Sequence, residues 1–208
     1  MTVNHSFFRR TAALVAAGSA AVVLAACGGN GSTGHNGHNS ASSSAAPSAP
    51  ASQGQHNAAD VTFVKGMIPH HRQAIEMAYL APSRAQSAEV KKLAADIRKA
   101  QDPEIKTLSG WLASWGEQVR AEGVMDHSAH GMDGMMTEQE MEKLKDASGK
   151  AFDTAFMEMM IKHHEGAVAM ARTEKAQGSY PEAKMMADAI TTSQSAEIER
   201  MNKLLGKS

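Results

Sequence analysis

The chain has one cysteine, few aromatic residues and no long apolar run beyond its first thirty residues, and each shortage closes off a class of protein. Cys27 is the only thiol among 208 residues, so an internal disulfide is impossible and a zinc site built on several thiolates is excluded. Phe, Tyr and Trp together make up 4% of the residues, which leaves the core to aliphatic side chains and to 15 methionines. No stretch reaches the roughly 20 apolar residues that a membrane-spanning helix needs. Lys and Arg (21) are balanced by Asp and Glu (22) without a clustered basic face, so nucleic acid is not an expected partner. No segment alternates apolar and polar residues as a half-buried strand does.

What is present begins with a leader. Residues 1–11 carry Arg9 and Arg10, and residues 12–26 run almost unbroken through Ala, Val and Leu. That run is too short to span a bilayer but suits the apolar segment of a signal peptide. It ends in Leu24-Ala25-Ala26-Cys27, which resembles the bacterial lipobox. The resemblance makes residues 1–26 a lipoprotein signal peptide and Cys27 the lipidated first mature residue, placing the protein outside the cytoplasm on the cell membrane. Losing Arg9 and Arg10 with the leader moves the formal net charge from −1 to −3. Residues 27–57 are Gly, Ser, Ala, Asn, Pro and Gln with scattered His35, His38 and His56; such a segment cannot offset the entropy of ordering and reads as a disordered linker. Residues 58–208 remain for one folded domain.

That domain repeats itself. A shift of 93 positions lays Asp153 on Asp60, Phe156 on Phe63, Met160 on Met67, His163-His164 on His70-His71 and Met170-Ala171 on Met77-Ala78. The same shift lays Ile190 on Ile97, Gln194 on Gln101, Glu197 on Glu104 and Leu205 on Leu112. Apolar positions recur with the period of an α-helix throughout. Repeat 1 (about 60–116) reads as a helix from Asp60, its start cap, to just before Pro82, then a return helix from about Ser87 to Trp115. Repeat 2 (about 153–206) gives helices from Asp153 to about Lys175 and from Pro181, a favourable first-turn position, to about Leu205. Between the repeats, Thr137-Glu138-Gln139-Glu140 is a capping box opening a short helix to Asp146. Two similar hairpins bury their apolar stripes together, so the expected fold is an all-α four-helix bundle with a short extra helix in the connection. Pro69 and Pro103 fall inside helical patterns, yet their counterparts Lys162 and Ala196 are good helix formers, so both helices should continue through them.

The inner stripe carries polar residues that a core does not need. Each first helix offers a Met followed three and four positions later by paired His: Met67, His70 and His71, then Met160, His163 and His164. Each return helix offers Gln and Glu three apart: Gln101 and Glu104, then Gln194 and Glu197. These spacings share one helical face, and an unpartnered buried polar group costs roughly 1–3 kcal/mol. Either the groups bond one another and fix helix register, or they hold a metal ion. Carboxylate-bridged di-iron bundles need Glu-x-x-His, and no His here has an acid three residues before it. Imidazole with thioether suits copper, Cu(I) above all, with Cu(II) accessible to the His.

The connection between the repeats (125–136) holds Met125, His127, His130, Met132, Met135 and Met136, in a Gly-containing loop where methionine has no evident core to fill. It reads as a flexible Cu(I)-capturing loop, with a hydrophobic lid or partner surface as the alternative.

Met67-Ile68-Pro69-His70-His71 and Met160-Ile161-Lys162-His163-His164-Glu165-Gly166 resemble the paired signature of domain of unknown function family 305, whose members include CopM-like copper-binding proteins of the bacterial envelope. The resemblance covers about residues 58–206. It implies a ferritin-like four-helix bundle and a role in copper binding or copper tolerance. Arg72-Gln73 stands where the second copy has Glu165-Gly166, so the half-sites need not be equivalent. The expected function is an extracytoplasmic, lipid-anchored copper-binding protein that sequesters Cu(I) or passes it to a copper-handling partner. A metal-dependent oxidoreductase bundle and a metal-free structural envelope bundle are the alternatives; no nucleophile with its base is recognisable, so an enzyme is not expected.

Overall fold

Each helix starts where a side chain satisfies its free N–H groups. In the structure, a computed structural model that describes residues 55–118 and 134–207, helix α1 (Ala58–Arg84) opens on a capping box. The Asn57 side chain accepts from Ala59 N (2.7 Å) and Asp60 N (3.2 Å), and the Asp60 carboxylate accepts from Asn57 N (2.6 Å). The cap is therefore Asn57 and not Asp60, which sits one turn in. Helix α2 (Ala88–Ser114) is capped by Ser87, whose hydroxyl accepts from Val90 N. The expected Thr137/Glu140 box opens α3 (Glu138–Asp146). Helix α4 (Gly149–Gln177) begins four residues before Asp153 and ends two beyond Lys175, because Phe152 and Glu174 at its two ends are both buried. Pro181 takes the first turn of α5 (Pro181–Leu204), as expected. Helix α1 runs through Pro82 as well as Pro69, and α2 through Pro103; each proline gives up one intrahelical hydrogen bond, and beyond Pro82 only two residues of α1 remain.

Helix α1 packs along α2, α4 along α5, and the two hairpins meet where α1 lies against α4, with α3 touching both. Shifted by 93 positions, the spans of α1 and α2 fall on those of α4 and α5 to within two or three residues at each end. No strand occurs among the described residues, and none of their helices is long and apolar enough to cross a membrane.

The hairpins are locked by the same residue used twice. Asp60 on α1 accepts from Ser179 N (3.1 Å) and Tyr180 N (3.0 Å) in the α4–α5 turn. Asp153 on α4 accepts from Gln86 N (3.1 Å) and Ser87 N (2.9 Å) in the α1–α2 turn. Residues 86 and 87 are the 93-shift equivalents of 179 and 180, so each repeat's aspartate clamps the other repeat's turn. One end has an addition: Glu174, buried beside Asp60 where the first repeat has Ala81. Burial first, then hydrogen bonding to Asp60 and its charge, push the Glu174 carboxyl up to about 8. Burial works to raise Asp60 too, but hydrogen bonds from Glu174 and from the backbone of Asn57, Tyr180 and Ser179 outweigh it and hold Asp60 at about 2. At the same end the expected linker is already structured: Ser179 Oγ donates to Gln55 O (2.8 Å), Asn57 Nδ2 donates to Gln177 O (2.9 Å), and His56 stacks on Trp115 at 4.4 Å. The rest of the linker, the leader and Cys27 lie outside the described residues.

The core divides into two apolar clusters. One gathers Met77, Leu93, Ile97, Leu144, Phe152, Phe156, Met160 and their neighbours. The other gathers Phe63, Met67, Ile68, Leu108, Leu112, Ala167 and Ile190. The polar residues of the inner stripe belong to neither.

Candidate metal centre

The helical register of α1 and α4 turns the four core histidines inward, where all are wholly buried. They come from the middle of the two helices that touch, so the half-sites meet. The rings of His70 and His163 lie 3.7 Å apart at 42°, and His163 and His164 are 6.4 Å apart. Met67 and Met160, one turn before their His pairs, are also fully buried and stand on opposite sides of the layer, one in each apolar cluster.

The second histidine of each pair is oriented by the return helix. His71 Nε2 lies 2.7 Å from Glu104 Oε2, and His164 Nε2 lies 2.6 Å from Glu197 Oε2. An ionised carboxylate only accepts, so in each pair the histidine Nε2 donates and Nδ1 is left facing the interior. Both Nδ1 atoms are buried without a hydrogen-bond partner. A carboxylate behind one imidazole nitrogen fixes the ring and makes the other nitrogen a better donor, the arrangement common behind metal-bound histidines. Glu104 and Glu197 are 22% and 21% exposed, so each pair reaches from solvent to the interior. Burial, with the other three histidines adding to it, holds the His163 imidazole well below its usual range and therefore neutral. Neither of its ring nitrogens makes a hydrogen bond of good geometry among the described residues. Gln101 and Gln194 complete the layer, both buried with Oε1 unpartnered.

His70 and His163 thus meet at the contact of α1 and α4, His71, His164, Gln101 and Gln194 are buried with them, and Glu104 and Glu197 stand behind the second histidine of each pair. Among the described residues no three His, Cys, Asp or Glu side chains form a ready cage. Met67 and Met160, one turn before the His pairs on the same helices, are the thioethers that a soft ion would use.

Of the loop candidates, Met125, His127, His130 and Met132 lie outside the described residues. Met135 is half-buried, and Met136 is 4% exposed within the first apolar cluster. Methionine in the connection does have a core to fill at position 136, because the chain is seated there by residues whose importance the sequence only hinted at. Gln73 Nε2 donates to Met136 O (2.9 Å), and Met136 N donates to Gln73 Oε1 (2.7 Å). Gly134, at φ +86°, lies on α4 so closely that a Cβ would sit 2.7 Å from Lys162 O and 2.9 Å from Gly166 Cα. The departure from the repeat, Gln73 against Gly166, is explained: Gln73 grips the segment from α1 and Gly166 leaves room for it on α4.

A four-helix bundle of two interlocked hairpins with a Met/His layer at their contact defines the class. The DUF305 family (domain of unknown function) matches residues 60–205, and the chain belongs to it. A DUF305 protein of Streptomyces coelicolor shares 34% identity at a TM-score of 0.65, covering 72% of this chain and 91% of that one. CopM in a Cu(I)-bound form shares 35% identity at a TM-score of 0.58, covering 70% and 94%. Its Cu(II)-bound form gives 38% identity at 0.62, with the same coverage. No curated protein matches the chain.

Proposed function

We propose that this protein binds copper outside the cytoplasm, taking Cu(I) into the layer formed by Met67, His70, His71, Met160, His163 and His164, for sequestration or for delivery to a copper-handling partner. The observation that carries the reading is the pair of buried, unpartnered Nδ1 atoms of His71 and His164, each on a ring fixed from behind by a carboxylate, in a layer that two buried thioethers flank. A core that needed only register would satisfy those atoms, since each unpartnered group costs roughly 1–3 kcal/mol. Copper as cargo would satisfy them, and soft thioether ligands favour Cu(I). The similarity to CopM, solved with Cu(I), with Cu(II) and with silver, supports the same chemistry. Attachment to the membrane through Cys27 and capture by the 125–136 loop belong to the proposal, as does a binding role in place of turnover.

The test is the pair His163→Ala and His164→Ala made together. The variant should stay folded and lose at least a hundredfold in Cu(I) affinity, measured anaerobically against a chromophoric chelator. Unchanged affinity would remove the second half-site as a ligand set.

A further inference from the structure

Copper must reach a layer whose histidines are wholly buried, and one segment is fastened to both helices that carry them. Residues 134–136 cross from α4 to α1. At one end Gly134 rests on the backbone of Lys162, His163 and Gly166. At the other, Gln73, one turn beyond His70, holds the Met136 peptide on both its N–H and its C=O. The Met136 side chain is buried beneath, and Met135, half-buried, is carried between the two anchor points. The first repeat's pattern does not require a glutamine here, since its counterpart is Gly166. Burying a primary amide to grip one peptide on both sides fixes a backbone position more tightly than apolar packing would, because both groups lose partners if the segment lifts.

We propose that Gln73 is a positioning residue for metal uptake: it holds Met135 against the α1/α4 contact where His70 and His163 stack, so that the Met135 thioether acts as a relay ligand for a soft monovalent ion. The inference rests on the copper reading. A tethered relay raises the local concentration of metal at the layer without altering the layer's own ligands. Its loss slows loading far more than it weakens the loaded state.

The experiment uses the intact protein and Gln73→Leu, which keeps volume and removes both hydrogen bonds. Cu(I) transfer from a chromophoric chelator is followed by stopped flow, and equilibrium affinity is measured in the same buffer. Transfer in the variant should slow tenfold or more while affinity changes less than threefold. In the metal-free variant the Met136 amide should exchange with deuterium at least tenfold faster. Met135→Leu should reproduce the slow transfer with normal exchange at Met136. Unchanged transfer in Gln73→Leu despite a freed Met136 amide would overturn the relay while leaving the copper reading intact. A parallel loss of rate and affinity would reduce Gln73 to a structural role. Failure of the unsubstituted protein to take Cu(I) at all would overturn both readings together.

Discussion

Glu174→Gln should abolish a loss of stability that one buried acid creates as pH rises from about 4.5 to about 8. Glu174 is buried against Asp60 with its carboxyl held up to about 8, whereas an unfolded chain returns it to 4.5. Between those two values the folded protein keeps a proton that the unfolded chain has lost, so stability falls as pH rises and levels off above the folded value. A gap of 3.5 pH units at 1.36 kcal/mol each is worth at most about 5 kcal/mol. His163 works in the other direction: its folded value lies well below the ordinary one, so its contribution rises with pH and is complete above about 6.5. Because both proteins share His163, the difference between them isolates Glu174. Urea melts of the intact chain, followed by circular dichroism at half-unit steps from pH 5 to 9, should show the two proteins close at pH 5. They should separate by roughly 1 kcal/mol per pH unit, until the glutamine variant is several kcal/mol more stable at pH 9, or about 10 °C higher in Tm. Lys184, a cation that works against the shift of Glu174, is present in both. A difference that stays constant with pH would refute the reading of Glu174 as a buried neutral acid.

Three further outcomes follow from the packing. Asp153→Ala strips the acceptor from Gln86 N and Ser87 N and should cost about 2–3 kcal/mol in urea melts. Gly134→Ala places a Cβ 2.7 Å from Lys162 O in a left-handed backbone and should cost at least about 2 kcal/mol. Gly116→Ala, equally left-handed but with no atom within 4 Å, should cost only about 1 kcal/mol by the same assay.

The helices and the His layer were legible because both are periodic. Phe63, Met67, His70, His71 and Ala74 declare a face by spacing alone, and a second copy 93 residues on says which of those residues belong together. The Thr137 box and Pro181 are local chemistry, and local chemistry is readable. Spacing makes Asp60 look like the cap because its partners in the α4–α5 turn are about 120 residues away, while Asn57, three residues earlier, has the composition of the linker. Met136 looks like loop in the sequence because the residue that seats it, Gln73, is 63 positions distant. Gln73 and Glu174, to which spacing alone assigns no role, share one signal: they break the repeat. Gln73 faces Gly166 in the alignment of the two copies, and Glu174 faces Ala81. Where a duplicated bundle departs from itself, the departure marks a contact that only one half makes.

The most direct measurement of the central claim is an anaerobic Cu(I) competition titration of the chain with and without residues 125–136. Tight binding that survives removal of the loop is the expected result and places copper in the His layer between α1 and α4. Binding that disappears with the loop, while the bundle stays folded, would contradict the account and leave the buried histidines with a purely structural role.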